Sequence, residues 1–327
     1  MPCYSPLKGY QDPETGKLVF KKNGHYLEEM EVGCGQCLGC RLDRARVWTM
    51  RLVHESTMHD LAGGNCFVTL TYRDRSDCNT TQLARGQYLK GLSLRKKHFQ
   101  DFMKRLRKSR PDSKIKFYHA GEYGGKCRHG LELDKVKCPL CTVGRPHYHA
   151  IIFGTTFHDL ELWRDEDGNQ LYVSEELEKI WGFGFATVGA VTYQSAGYVA
   201  RYIMKKVTGP NAEEHYTQIL EDGEMIEVLP EYSTMSKGIG KAWFEKYNSD
   251  CYPSDEVPVP GQGVIKKVPR YYRDIQEIID PQSVEDVRER REQFFEKNKE
   301  EFTPDRLMSK YKVKKAQIQT LKRTILE

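Results

Sequence analysis

No apolar run in the chain approaches the ~18–20 residues that cross a bilayer. The opening stretch, MPCYSPLKGY, has no apolar core of a secretory signal. The phosphate-cradling pattern G-x-x-x-x-G-K-[ST] is missing, and GIGKAW does not meet it. Internal repeats and low-complexity segments are missing as well. These absences argue against a helical membrane protein and against a fused helicase motor. They lead us to expect a cytoplasmic protein with reduced thiols. The 327 residues are enough for one large domain or two smaller ones with a buried core. At 39% hydrophobic and 30% charged, the composition is that of a soluble globular protein. A net charge of +5 permits a nucleic-acid partner without requiring one.

What the chain does have is ten cysteines, and they cluster. Without disulfides, clustered cysteines point to metal. Cys127, His129, Cys138 and Cys141 lie in CRHGLELDKVKCPLC, a four-ligand set with a CxxC knuckle suited to structural Zn2+. Cys34, Cys37 and Cys40 lie in CGQCLGC and need a fourth ligand. Cys3 is the candidate if residues 1–33 fold back as a hairpin. The alternative is three reduced thiols near a helix start. Cys66 and Cys78 read as ordinary thiols.

Residues 1–33 read as short strands with turns at Asp12-Pro13, Thr15-Gly16 and Asn23-Gly24. RLDRARVWTMRLVHE predicts a helix with a basic face at Arg41, Arg44, Arg46 and Arg51. CFVTLTY predicts a strand with Phe67, Thr69 and Thr71 on one face. LSLRKKHFQDFMKRLRKSR predicts a basic helix capped by Ser93, and KIKFYHAGEYG a strand. After the His-containing strand described below come a helix starting near Ser174, a strand in FATVGAVTY, and a helix in SAGYVARYIMKKV opened by Ser195. From Ser283 onward a charged helical tail is interrupted at Pro304. The interleaved order suggests an α+β fold, a sheet with helices on one face and strands 117–122 and 147–153 adjacent.

In GRPHYHAIIFG, the strand period of two puts His147 and His149 on one face and Tyr148 on the other. Two imidazoles so placed can share a metal ion or be a hydrogen-bonded pair at the mouth of a sheet. Tyr198 and Tyr202 are four apart, so both hydroxyls share a helix face, about 6 Å apart along the axis. Such a pair can be core packing. It can also be a pair of nucleophiles. A phenol with a pKa near ~10 attacks a phosphodiester only with help, and a divalent ion can polarise the phosphoryl oxygens. Glu122, at the end of the neighbouring strand, is the candidate third ligand beside His147 and His149, or else a turn residue.

These motifs resemble the HUH endonucleases. His147-Tyr148-His149 resembles their His-hydrophobic-His motif, with a bulkier middle residue than usual. FVTLTY resembles the first motif and YVARYIMKK the third. The order of motifs, with MPCYSPLKGY, CGQCLGCR, GEYG and MSKGIGKAWFEKY, is similar to the rolling-circle replication initiators of gokushovirus-type microviruses, small single-stranded DNA phages. The resemblance covers most of residues 1–250. It implies a ferredoxin- or RRM-like antiparallel sheet covered by helices, with the Cys-rich segments as zinc-binding insertions. It implies Mg2+ or Mn2+ on Glu122, His147 and His149. It further implies nicking and joining of single-stranded DNA at a phage origin through a 5′-phosphotyrosine, with Tyr198 and Tyr202 alternating. Lys205, three residues after Tyr202, either steadies phosphate charge or is a solvated lysine. Host helicase and DNA polymerase are the implied partners, and the host cytoplasm the implied site of action.

The expected domains are an N-terminal Cys-containing segment with its basic helix (1–62), a nickase core (63–210) with the inserted cysteine cluster (127–141), and a C-terminal extension (211–327). Two other readings remain at this point. An HUH transposase usually works with one tyrosine in a shorter chain. A zinc-dependent nucleic-acid-binding protein without catalysis leaves the histidine and tyrosine pairs unexplained.

Overall fold

The computed structural model describes residues 3–12, 15, 17–20, 28–59, 63–73, 93–127, 129–139, 141–166, 168–202, 206–220 and 223–319. In chain order, the first elements are β1 (Leu7–Gln11), β2 (Leu18–Val19), β3 (Glu28–Val32), α1 (Leu38–Thr57), β4 (Asn65–Thr71), α2 (Lys96–Ser109), β5 (Lys116–Tyr123) and β6 (Pro146–Phe153). Next come β7 (Glu161–Glu166), β8 (Asn169–Val173), α3 (Glu175–Trp181), β9 (Ala186–Gly189) and α4 (Tyr193–Arg201). The remainder comprises α5 (Ala212–Tyr216), β10 (Thr217–Ile219), β11 (Met225–Glu227), β12 (Tyr232–Met235), α6 (Lys241–Tyr247), β13 (Glu256–Val259), β14 (Gly263–Lys266), α7 (Arg270–Ile279), α8 (Pro281–Lys297) and α9 (Pro304–Gln319). Contacts divide the chain into one unit of residues 48–272 and another of 1–47 with 273–327.

The larger unit is α+β, built on a seven-stranded sheet of order β12-β5-β6-β4-β9-β8-β7. Every pairing in it is antiparallel. The central strands β4, β5 and β6 are rich in β-branched and aromatic residues, which suit a pleated surface packed on both sides. On one face Val68, Leu70, Tyr148, Ala150 and Ile152 join Phe99, Phe102, Met103 and Leu106 of α2 and Leu177 and Trp181 of α3 in one core. On the other face α4 packs against β5 and β6. Helices therefore cover both faces, not one, because both sides of the central strands are apolar enough to need cover.

Tyr148 is fully buried. Its hydroxyl lies 2.7 Å from that of Tyr72, accepts the Arg95 N–H at 2.8 Å and donates to the Arg95 carbonyl at 3.1 Å. The polar tip of the middle residue of His-Tyr-His is thus consumed in tying α2 to the sheet. Helix α2 starts at Lys96 without a side-chain cap. Ser93 instead accepts the Leu229 N–H at 2.9 Å. Ser174 caps α3 as its position suggests, accepting from Leu177 N. Helix α4 opens earlier than expected: Thr192 is the N-cap, and Ser195 completes a capping box from the third helical position. The basic face of α1 is not all solvated. Arg51 is 9% exposed, donates to the Ile239 carbonyl and lies over the rings of Trp48 and Tyr271. It ties the SKGIGK stretch to the helix. Buried Glu55 does the same by accepting the Gly240 N–H at 2.7 Å and the Lys116 ammonium at 2.6 Å.

In the smaller unit, β1 pairs with both β2 and β3 in a three-stranded antiparallel sheet. The helical tail is interrupted ahead of Pro304, as expected, and Pro304 begins α9, a position where its missing N–H costs nothing. The Tyr4 ring meets Tyr311 of α9 edge-on, 5.6 Å between centroids.

Replacing Tyr148 with Phe leaves the Arg95 N–H without its acceptor at the start of α2. We expect a loss of about 1–3 kcal/mol in urea unfolding, with the far-UV spectrum unchanged.

Candidate functional site

Register brings the expected metal ligands together. Glu122 of β5 stands directly opposite His147 of β6, and His149 stands opposite Thr69 of β4. Nε2 of His147 is 2.5 Å and Nε2 of His149 is 3.0 Å from the same Glu122 oxygen, Oε1. The far nitrogens are also held. Nδ1 of His147 is 3.3 Å from the Arg145 carbonyl, and Nδ1 of His149 is 3.0 Å from the Thr69 hydroxyl. A carbonyl can only accept, so Nδ1 of His147 donates to Arg145, which turns its Nε2 toward Glu122. The donor set is therefore two imidazole Nε2 atoms converging on a carboxylate, with their other nitrogens fixed by neighbours. That arrangement suits a divalent cation. Glu122 and His149 are each 1% exposed, and His147 is half-buried. Burial alone would push the Glu122 carboxyl up. The charge and hydrogen bonds of His147 and His149 outweigh burial and hold it well below the usual carboxylate range.

Both tyrosines converge on the same histidine. The Tyr202 ring stacks on His149 at 4.8 Å and 5°, and the Tyr198 ring meets it edge-on at 5.2 Å and 84°. The two phenol rings are 4.6 Å apart. They differ in access: Tyr202, at the C-cap of α4, is 4% exposed, whereas Tyr198 is half-buried. Burial first, then the negative charge of Glu122, raises the Tyr202 phenol well above its ordinary pKa. Lys205 lies outside the described residues.

The two cysteine clusters also assemble, one in each unit. Cys127, His129, Cys138 and Cys141 present ligand atoms within 4.8 Å of one another. His129 Nδ1 is 3.5 Å from the Cys138 sulfur and 3.4 Å from that of Cys141. This cluster extends the β5–β6 hairpin, through Gly124 N–H to Arg145 C=O and Arg145 N–H to Lys126 C=O. The chains run so close there that a Cβ on Gly144 would collide with the Gly124 carbonyl. Cys3, Cys34, Cys37 and Cys40 meet in the same way, so the N-terminal segment does fold back to supply the fourth sulfur. The Cys3 sulfur is 3.6 Å from that of Cys34 and 3.8 Å from that of Cys37. Backbone N–H groups of Tyr4, Cys34 and Cys37 point at sulfurs of the set, at 3.2–3.3 Å. Burial opposes ionisation of Cys37, but backbone N–H groups, with neighbouring thiols, bring its pKa down to about 6. Both groups can hold a metal ion.

Sequence reasoning missed the residues that orient the histidines. Thr69 was legible only as a member of the His-side face of CFVTLTY. Arg145 acts through its carbonyl, which no side-chain pattern reveals. Phe67, whose ring is stacked near His149 at 5.7 Å and 10°, belongs to that same alternating face.

A family profile described as Replication-associated protein ORF2/G2P matches residues 135–207, the stretch that contains both histidines and both tyrosines. Replication-associated protein VP4 of Bdellovibrio phage phiMH2K is 34% identical over 286 residues, covering 84% of this chain and 76% of its own. Replication-associated protein ORF2 of Spiroplasma virus 4 is 32% identical, covering 83% and 79%. Replication-associated protein ORF4 of Chlamydia phage 1 is 26% identical, covering 74% and 52%. No solved structure matches the chain. The chain belongs to the family of phage replication-associated proteins, as its resemblance to microvirus initiators implied. No described helix is long and apolar enough to cross a membrane.

Glu122→Gln removes the charge on which both Nε2 atoms converge. We expect the variant to lose Mn2+ binding, read by titration calorimetry. The depressed carboxyl also sets a sign in pH. Its stabilising charge is present above the unfolded value of ~4.5 and is lost as pH falls through the lower folded value. Metal-free Glu122→Gln should therefore lose part of the acid limb of its stability profile.

Proposed function

We propose that this protein is a site-specific nickase and strand-transferase that starts and ends rolling-circle replication of a phage genome, acting on single-stranded DNA at the origin. The observation that carries the reading is the packing of two tyrosine rings on His149, whose Nε2 faces Glu122. Membership in the replication-associated family supports it.

Glu122, His147 and His149 are the residues to hold Mg2+ or Mn2+, which when bound supplies Lewis-acid polarisation of a phosphoryl oxygen. Thr69 and the Arg145 carbonyl orient the imidazoles. The attacking tyrosine Oη forms a bond to phosphorus, the P–O3′ bond breaks, and the 3′ oxygen leaves as a hydroxyl that can prime synthesis. The phenol proton balances the charge on that leaving oxygen. The phosphotyrosine ester keeps the energy of the cleaved bond, so rejoining needs no nucleotide triphosphate. We assign the first attack to Tyr198, the more exposed ring, and the second to Tyr202, whose buried phenol is held protonated. Lys205 is assigned to phosphate charge. Host helicase and polymerase supply strand separation and synthesis. The two cysteine sets take structural Zn2+, and the inserted one pins the hairpin that carries Glu122 and the histidines.

The reading is tested by incubating the protein with Mn2+ and single-stranded circles of its own genome, then digesting and searching tyrosine peptides for attached nucleotide. We expect nucleotide on the Tyr198 peptide, abolished by EDTA and by His147→Ala. Folded, metal-loaded protein that gives no adduct on origin DNA would discard the catalytic reading in favour of nucleic-acid binding without catalysis. Elemental analysis should find two zinc ions per chain, and Cys138→Ser should retain only one.

A further inference from the structure

Two aromatic rings stand exposed beside the candidate site. Trp163 of edge strand β7 is 50% exposed and Phe185 is 37% exposed. Their rings meet edge to face with centroids 5.0 Å apart. Phe185 immediately precedes β9. Ala186, the next residue, points into the core on the Tyr148 side. Alternation therefore turns Phe185 to the opposite side, the one bearing Glu122, His147 and His149. The Thr71 N–H donates to the Phe185 carbonyl at 2.9 Å, and Thr71 stands opposite His147. Phe185 is thus two strands from His147, about 10 Å across the sheet at ~4.8 Å per strand. Arg73, two residues past Thr71, is exposed and donates its N–H to the Phe183 carbonyl next door. Two open rings and a cation accordingly flank a centre suited to phosphodiester chemistry.

We propose that Trp163 and Phe185 form a base-stacking platform for single-stranded DNA next to the cleaved phosphate, with Arg73 facing the backbone. This rests on the reading of the site as DNA-cleaving. Unpaired bases offer π-faces that aromatic side chains accept whatever the sequence, and single-strand binders pair such rings with cations. The same rings are of no use to a duplex, whose base faces are already stacked. Strand addition from a second copy is the less suitable occupant. The register shift between Leu162 and Arg164 interrupts the β7–β8 ladder at Trp163, and such a bulge twists an edge strand away from further pairing. The rings, not the edge backbone, are what this corner presents.

The test uses the full-length protein and a fluorescent single-stranded oligonucleotide, with the matching duplex as control. Trp163→Ala and Phe185→Ala should each weaken single-strand affinity about tenfold, equivalent to ~1.4 kcal/mol. Trp163→Phe should recover most of it, duplex affinity should not change, and thermal melting should match the parent. Unchanged single-strand affinity in folded Trp163→Ala, with the parent still forming the phosphotyrosine adduct, overturns the platform and leaves the cleavage reading intact. Trp-dependent single-strand binding without any adduct supports the platform and rejects the cleavage reading. A change from oligomer to monomer in Trp163→Ala at unchanged affinity would give this corner to a second copy and overturn the proposal.

Discussion

Antiparallel pairing of β5 with β6 is the constraint on which the site depends. Side chains alternate along a strand, and directly opposed residues point the same way. Once Glu122 is placed opposite His147, the carboxylate and both imidazoles must share one face, and Tyr148 must enter the core on the other. A slip of one residue would send Glu122 into the hydrophobic side and strand a tyrosine beside the histidines. The register is held at the hairpin end of the pair and within the core. At one end the hairpin is locked by the close approach of Gly144 to Gly124 and by the cysteine cluster beyond it. Inside, the Tyr148 hydroxyl is bound to Tyr72 and to the backbone at Arg95.

The two tyrosines share a helix face but not an environment. Stacking on His149 and burial at the end of α4 keep Tyr202 dry, and the nearby Glu122 charge opposes its ionisation. Tyr198, one turn earlier, has its ring edge on the same histidine and remains half open. Two chemically identical side chains thereby become unequal through packing alone. A division of labour between them needs no further element.

Much of this was legible in the order of residues. His-x-His in a strand-like run, Glu122 at the end of the preceding strand and tyrosines at helical spacing are local patterns, and local geometry suffices to place each on a face. The cysteine spacings likewise announced two clusters, and even the return of Cys3 to Cys34, Cys37 and Cys40 followed from counting ligands. The helix starts were less secure. Ser93 and Ser195 both have the chemistry of a cap, yet Ser93 bonds Leu229 and Ser195 serves from inside a helix that Thr192 opens. A hydroxyl can meet any nearby amide, and which amide arrives is a tertiary matter.

Charge was the least legible property. The basic run of α2 reads as one strongly basic outer face, but Arg105 donates to the carbonyls of Ile180 and Trp181 and Arg107 to that of Ile115. The helix lies on the Tyr148 side of the sheet, away from the face of the triad. By itself the sequence determined which side chains share a strand face or a helix face, because those periods are properties of the backbone. Only the tertiary structure decided that Tyr202 is buried against His149 while Tyr198 is not, and that Thr69 and Arg145 steady the imidazoles. It also decided that Trp163 meets Phe185 across the outer strands. Apart from Arg145, two residues from His147, each of these joins residues far apart in the chain, and their distance is set by how the sheet packs and twists rather than by any spacing along it.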